Sequence, residues 1–546
     1  MEPRVTKREK KLLLAYDLSS RIRCSAIYPQ PAPNGSSIIF YGHDNGLKAL
    51  WRGGRKLRSP SQRSATQQDS DIMEFDQEDQ SLDLANGPNK YEDQEEELDA
   101  DHPYHSILYT LDFKLDSAVS KIVIPTSITG QGLTDHEHGT IVVATLKGSI
   151  YVLDVPLAPP ADNRAKAIAS SVLRKAVQLK HDGTYVRCLA AKEADSGLIV
   201  AAYTRQLELW QSSQEPDKTK SAAQHTIVPY TGACTSIAFH PALRSRQFVV
   251  TDRFGSATVY EASVQSTTQS SGPIYSLYTP FEAQSENSSA TPSRKRLLAT
   301  QFILGGRCII ALVENGQWGI WDTTASQPGK SLEQFVLSGY LETAVASEVH
   351  EPAVARRTSS SLTPMTPNTR KTKSSEFFSA PRPRPEGEAA TGGISVSRTS
   401  STAGVPDESV MIWHNNEIFS IPSVQSFWQR STSGSGGLGT LYTPGIARIP
   451  GINLFNETIT SISQFAAGTA ASGIGQLRTQ RDILVSAEYR FVITQNRASP
   501  TDPFSQAQPA ESKDLRMLDA GELDLGGVDR ILGNMDGRSR KVGFVH

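Results

Sequence analysis

The sequence predicts an all-β chain folded as a β-propeller of seven blades, with long disordered insertions and a short C-terminal helical tail. Three observations lead there. Short apolar runs rich in Val, Ile, Tyr, Phe and Thr recur along the chain with turn residues between them, which suits strands better than helices. No long amphipathic helical pattern interrupts them. The runs also group into a repeated unit, which explains how 546 residues bury their apolar faces without helices to cover a sheet.

Strand runs are read at Ser37 to Tyr41, Leu47 to Trp51, Ile107 to Phe113, Thr140 to Leu146 and Ser149 to Asp154. Others follow at Val186 to Ala190, Leu198 to Tyr203, Leu207 to Trp210, Ser236 to His240, Phe248 to Thr251, Ala257 to Tyr260 and Ile274 to Tyr278. Leu297 to Leu304, Cys308 to Val313 and Trp318 to Asp322 complete the clear part of the pattern. Each unit has two apolar strands, a turn carrying Gly or Asn, and a third strand ending in an aromatic residue and often an acid. The turns are Asp44-Asn45-Gly46, Lys147-Gly148, Thr204-Arg205, Arg253-Phe254-Gly255 and Glu314-Asn315-Gly316, so five units are visible. Gly and Asn tolerate positive φ, as tight hairpins of the primed types require. The terminal aromatic is expected to pack between neighbouring sheets. Beyond residue 400 the pattern weakens, but Ser409 to Trp413, Glu417 to Ile421, Ile459 to Phe465, Ile483 to Ala487 and Arg490 to Thr494 supply a sixth and a seventh blade.

These units resemble the WD-repeat family. Trp321-Asp322 stands where that family has its dipeptide, and Trp51-Arg52, Trp210-Gln211, Leu153-Asp154 and Tyr260-Glu261 are degenerate versions. The family's GH dipeptide is missing before each repeat, and Gly42-His43 is read in a hairpin turn instead, so the resemblance is to a divergent WD40-like propeller.

The organisation read from the sequence begins the first blade in 1–59. An acidic insertion over 60–103 follows, then blades over 104–348, a Ser/Thr/Pro-rich insertion over 349–406, the last blades over 407–496, and a linker and helical tail over 497–546. Pro60 to Pro103 and Val349 to Pro406 carry too little apolar surface to offset the entropy of ordering. In the tail, Leu515, Met517, Leu518, Leu523, Leu525, Val528, Ile531 and Leu532 alternate with acids and glycines, a pattern for covering an exposed edge or docking a partner.

Composition narrows the function. Lys+Arg 55 against Asp+Glu 57 leaves a formal charge of −2, so no global basic field draws the chain to nucleic acid or an anionic membrane. The apolar run after the N-terminal basic residues, Leu12-Leu13-Leu14-Ala15, is short for a secretory signal, and no run approaches a membrane span. A soluble nuclear or cytosolic protein without membrane insertion is expected. Cys24, Cys188, Cys234 and Cys308 are dispersed without a CxxC pair and read as small core residues.

Local catalytic and nucleotide-binding signatures are absent in convincing context, so neither an enzyme nor a cofactor is expected. The glycine runs at Gly434 to Gly439 and Gly473-Ile474-Gly475 follow no apolar strand and read as linkers. His136 and His138 form an H-x-H pair with no third ligand nearby, which reads as a solvated hairpin loop. The acidic run Asp69 to Asp101 reads as a solvated loop ahead of a docking tail for a basic partner. The basic cluster Arg52, Arg55, Lys56 and Arg58 has few interleaved aromatics, which disfavours direct nucleic-acid binding. Ser359, in Arg356-Arg357-Thr358-Ser359, resembles a basophilic kinase site, while Thr363 and Thr366 precede prolines, as do Ser59, Thr291 and Ser499; phosphates there would change a loop's charge without unfolding a domain.

One further likeness is more specific. Tyr16-Asp17-Leu18 leads into Val/Ile-rich strands, Pro33 to Ile39 forms a first hairpin, and Tyr41 to Gly46 precedes Trp51-Arg52-Gly53-Gly54-Arg55 before the acidic insertion. With Leu523 to Arg530 in the tail, this resembles the filamentous-fungal members of a small WD-repeat nucleoporin family of the outer-ring, Y-shaped subcomplex of the nuclear pore. The resemblance implies a non-catalytic scaffold at the nuclear envelope that docks on a helical-solenoid nucleoporin and supports pore assembly and nucleocytoplasmic transport. The alternative is a WD-repeat adaptor in a chromatin, ribosome-biogenesis or ubiquitin-ligase complex. A propeller enzyme would need acids or histidines lining the central channel, whereas Thr140 to Leu146, read as an innermost strand, is apolar.

Overall fold

In the computed structural model, described residues are 1–8, 11–57, 91–95, 102–125, 137–161, 164–195, 197–212, 224–262, 272–281, 293–325, 331–332, 334–341, 389–399, 407–432, 446–466 and 481–496. Their strands form seven four- or five-stranded sheets, each a blade of a propeller, and one further two-stranded sheet. Blade 1 runs outward from Cys24–Ile27 through Ser37–His43 and Gly46–Arg52 to Ile107–Lys114. Blade 2 is Val119–Val123, His138–Thr145, Ile150–Pro156 and Val177–Leu179; blade 3 is Cys188–Ala194, Gly197–Tyr203, Leu207–Gln211 and Gln224–Val228. Blade 4 comprises Cys234–Phe239, Gln247–Asp252, Ser256–Glu261 and Pro273–Tyr278, with Ser331–Leu332 added in parallel along its edge. Blade 5 is Leu297–Ile303, Cys308–Val313, Gln317–Asp322 and Leu337–Tyr340, and blade 6 is Gly392–Thr399, Asp407–His414, Glu417–Ile421 and Ala447–Arg448.

Blade 7 draws on both ends of the chain. Ser461–Ala466, Arg481–Ser486 and Arg490–Asn496 supply its inner three strands, and Lys11–Asp17 is hydrogen-bonded outside them, with Arg4–Arg8 beyond. The inner strands of successive blades touch in an unbroken circuit, which returns from blade 7 to blade 1 through Ser461–Ala466 and Cys24–Ile27. Ser25 joins the two blades by hydroxyl hydrogen bonds to Ser461 and Ser486, each 2.7 Å. Tyr16 lies fully buried against Phe491, their rings stacked 4.7 Å apart.

Each face of a blade is covered by the next blade, so the core is divided among the seams. Seven apolar clusters of the described residues each span one adjacent pair of blades, from blades 1 and 2 round to 7 and 1. The third-strand aromatics lie in these seams as expected. Trp51 is buried against blade 2 and donates its indole N–H to the Leu157 carbonyl at 2.8 Å; Trp210, Tyr260 and Trp321 occupy the seams of blades 2–3, 3–4 and 4–5. The seam between blades 7 and 1 also holds an ion pair, Arg52 Nη1 to Asp482 Oδ2 at 3.6 Å, with both side chains almost wholly inaccessible. Burial outweighs the guanidinium and lifts the Asp482 carboxyl above its ordinary range.

Several features depart from the sequence reading. In blades 2 and 5 the turn between second and third strands uses a single left-handed glycine: Gly148 and Gly316 have φ of 91° and 80°, while Lys147 and Asn315 are not among the positive-φ residues. Gly148 and Gly316 each donate their N–H to the residue three before, Thr145 and Val313. This is a type I turn closed by a left-handed residue, rather than a primed turn with two. Gly42-His43 ends a strand instead of forming a turn, and His43 Nε2 lies 3.1 Å from Asp112. Thr140 to Leu146 falls largely in the second strand of blade 2, whose innermost strand is Val119–Val123. Among the described residues two α-helices interrupt the strands: α1 (Ala165–Lys175) packs Ala169 and Val172 into the seam of blades 1 and 2, and α2 (Val424–Thr432) packs Val424, Phe427 and Trp428 into that of blades 5 and 6. Within stretches read as insertions, Tyr91–Glu95 pairs with Arg55–Leu57, and Gly392–Thr399 is the innermost strand of blade 6.

A polar latch crosses the seam of blades 3 and 4. Lys192, fully buried, donates to the carbonyls of His240 at 2.9 Å, Ala242 at 2.5 Å and Ser245. His240 caps the same turn: its Nδ1 accepts the Ala242 N–H at 3.1 Å, a role open only to a neutral ring. Burial, with Lys192 and Arg398 adding repulsion, draws the His240 pKa from 6.5 down to about 4.

Two predictions follow from the packing. Tyr16→Ala removes a fully buried aromatic from the closing strand and should lower the unfolding free energy by about 3–5 kcal/mol in urea titration; a loss below about 1 kcal/mol would show that the N-terminal strand does not carry closure. For His240, the unfolded ring binds a proton below its ordinary pKa of 6.5 while the folded ring resists until about 4. Stability should therefore fall as pH drops through that window, and His240→Asn should flatten the fall in pH-dependent denaturation.

Candidate protein-docking face

The two ends of the propeller differ in what they carry. One end, the turn face, holds the turns between second and third strands and the connections between blades. Contacts between these segments tie it together: Leu146 N–H donates to Ala118 O, Ile22 N–H to Glu488 O, and His414 Nε2 lies 2.9 Å from Glu314 O. At the other end, α1 and α2 join third strands to outer strands.

Exposed large apolar side chains gather on the turn face. Phe254 (59% exposed) stands in the blade 4 turn, Phe281 (55%) follows blade 4's outer strand, Phe455 (58%) lies between blades 6 and 7, and Tyr340 (65%) ends blade 5. Tyr185 and Tyr489 join them between blades 2 and 3 and in the blade 7 turn. The aromatics are flanked by guanidinium groups: Arg253 lies 5.0 Å from the Phe254 ring centre, Arg294 4.1 Å from Phe281, and Arg490 4.4 Å from Phe455. Arg490 is neutralised by Glu457 and Asp17, whereas Arg253 and Arg294 have no carboxylate partner among the described residues. Between blades 3 and 4 an open groove of about 590 Å³ continues this surface, lined by Ile227, Tyr230, Gly232, Asp252 and Phe254 among others. An exposed apolar surface of this kind, set on short turns braced by a closed ring, suits protein recognition.

Candidate sites named from sequence fare differently. Ser359, Thr363 and Thr366 lie outside the described residues, as do Ser59, Thr291, Ser499, both glycine runs, His136 and the tail apolar residues. His138 is exposed, with Nδ1 3.5 Å from Asp154 Oδ2. Arg52 belongs to no surface cluster, because it is buried against Asp482, while Arg55 packs over the Tyr91 ring at 5.6 Å. The described residues bring His181, Asp182 and Glu208 within 4.8 Å, a grouping the sequence separation conceals. Protein groups already occupy it: Asp182 accepts from Thr184, Glu208 accepts from Thr204 at 3.1 Å and meets His225 at 2.8 Å, and His181 meets the Gly148 carbonyl. That arrangement braces the junction of blades 2 and 3.

The channel side of the ring carries little acid chemistry. Among the seven inner strands, Glu193 is the one carboxylate in the sequence, so the clustered channel acids a propeller enzyme would need are missing from those strands. No helix of the described residues is long and apolar enough to cross a membrane.

Comparison with known proteins decides the family. Residues 15–494 match the family described as the nucleoporin NUP37 N-terminal domain, a span that includes strands of all seven blades. The chain belongs to the nucleoporin NUP37 family. It is similar to nucleoporin NUP37 of Chaetomium thermophilum, 27% identical over 535 residues that cover 80% of this chain and 68% of that protein. For a NUP37-family propeller, membership implies the nuclear pore complex as its setting and other pore proteins as its company. The exposed aromatics of the turn face are brought together by the geometry of the ring.

If those aromatics serve recognition rather than folding, Phe254→Ser and Phe281→Ser should each shift the unfolding free energy by less than about 0.5 kcal/mol in urea titration. A loss of about 2 kcal/mol at either would mark it as a packing residue.

Proposed function

We propose that this chain is a non-catalytic scaffold subunit of the nuclear pore complex that docks through its turn face on a helical-solenoid nucleoporin, and so supports pore assembly and nucleocytoplasmic transport. The observation carrying this reading is the gathering of exposed aromatics on one rigid end of a propeller whose sequence belongs to a nucleoporin family. A helical surface supplies rows of apolar side chains flanked by carboxylates. Such rows complement Phe254 and Phe281, each beside an arginine that no described acid neutralises. Aromatic and arginine side chains of this kind commonly dominate protein interfaces. The scaffold would sit at the nuclear envelope and need neither cofactor nor catalytic residue.

The test is affinity purification of the tagged chain from its native cells at gentle salt, with mass spectrometry of what is retained. Helical-solenoid nucleoporins should be recovered in near-equal amounts, and the combined Phe254→Asp, Phe281→Asp and Tyr340→Asp variant should lose them about tenfold while keeping its melting temperature. Recovery of histones, ribosomal precursors or a cullin without nucleoporins would replace the scaffold with an adaptor. Undiminished recovery by the variant would move docking off the turn face.

A further inference from the structure

The outer edge of blade 2 carries an unbalanced charge. Its third strand connects through α1 to the outer strand Val177–Leu179, and from Asn163 to His181 the sequence contains no Asp or Glu. The same stretch holds Arg164, Lys166, Arg174, Lys175 and Lys180, in a chain whose formal charge is −2. All five residues are exposed, and none has a carboxylate partner among the described residues. Helix stability does not account for this charge. Arg174 and Lys175 suit the C-terminus of α1, but Arg164 and Lys166 face the positive end of its dipole, where the first turn has neither an acid nor a side-chain cap. Because α1 turns Ala169 and Val172 into the seam, Lys166 and Arg174 share an outward stripe with Ser170 between them.

The strand that α1 leads into is itself an open edge. Val177–Leu179 pairs with Ile150–Pro156 along one side, and no described strand lies along the other. Val177 and Gln178 are exposed, and Lys175 and Lys180 bracket the strand. Two other blades show what such an edge accepts in this fold. Blade 4 takes Ser331–Leu332 as a fifth strand, and blade 7 takes Arg4–Arg8.

We propose that the outer strand of blade 2 is an interaction site for an acidic, extended segment of a partner protein, which adds as a fifth strand beside Val177–Leu179 and sets its carboxylates against Lys175 and Lys180. Main-chain hydrogen bonds along the edge supply the affinity, and the flanking cations select the sign of the partner's charge. Lys166 and Arg174 extend the positive field beyond the strand and draw the segment in from solution. The same cations repel a second copy of this edge. The stretch from Asn163 to His181 holds no Phe, Tyr or Trp on which bases would stack, so its charge suits a carboxylate-bearing strand better than a nucleic acid. This site shares no residue with the turn-face aromatics and does not depend on their reading.

The test measures, by fluorescence anisotropy, binding of the full-length protein to a short labelled peptide in which Glu alternates with Thr and Val. The expected result is binding that slows hydrogen exchange over Ala176 to Lys180 and weakens about tenfold on raising salt from low to high ionic strength. A peptide of equal charge with proline at the alternate positions cannot donate to the edge and should bind at least about tenfold more weakly. Lys175→Glu combined with Lys180→Glu should cost a similar factor at an unchanged melting temperature. Equal binding of the proline peptide, exchange protection confined to another blade, or tighter binding of a polyuridine oligonucleotide than of the peptide would overturn the proposal. So would much tighter peptide binding by a chain lacking Asp69 to Asn89, since the edge would then belong to this chain's own acidic run. The exchange and proline comparisons use the unaltered chain, so poor folding of the charge-reversed variant leaves the test intact.

Discussion

Every blade of this protein has two apolar faces, and only the neighbouring blades can cover them. The constraint is geometrical: a sheet that buries both faces inside a ring is stable only when the ring is complete. Completion depends on the strand Lys11–Asp17, which arrives from the start of the chain to pair beside Arg490–Asn496. Tyr16 stacks on Phe491 in that blade, while Leu12 and Leu14 join Ile39, Tyr41 and Leu50 in the seam with blade 1. Without this pairing the sheet of blade 7 would expose an edge and a face, and the cluster between blades 7 and 1 would lose one wall.

Polar groups in the seams add direction to what apolar burial leaves unspecific. Lys192 reaches three carbonyls of one turn, and this works only when blades 3 and 4 stand in one register. Arg52 and Asp482 act similarly between blades 1 and 7, at a desolvation cost visible in the raised Asp482 pKa. These groups offset their burial by fixing how the blades meet. They stand inside the fold and leave recognition to the surface.

The surface follows from the same ring. Turns of two to four residues close the second and third strands at one end, so aromatics placed there are held by the whole sheet behind them. Phe254 is an example, carried on the turn between Gln247–Asp252 and Ser256–Glu261. Long connections with helices occupy the other end, where α1 and α2 fill gaps at the outer part of two seams. A rigid end and an elaborated end on one propeller suit a part that holds position in an assembly.

How much of this was legible in the sequence depended on the range of the interaction responsible. Alternating apolar residues, the turn glycines and the terminal aromatics are local, so the second and third strands of blades 1 to 5, the seven-blade fold and the seam positions of Trp51, Trp210 and Trp321 could be read directly, whereas the inner strands Cys24–Ile27 and Val119–Val123 were not. Gly392–Thr399 could not, because its serines and glycines resemble the Ser/Thr-rich stretch before it, and only pairing with Asp407–His414 makes it a strand. The same holds for Arg52, which reads as part of a basic cluster until Asp482 is brought beside it, and for His181, Asp182 and Glu208. The sequence by itself determined the second and third strands of the blades and that they repeat, since both follow from side-chain periodicity along the chain. The tertiary structure alone decided which end of the chain closes the ring, which charges are buried, and which exposed aromatics share a face, because those depend on contacts between residues hundreds of positions apart.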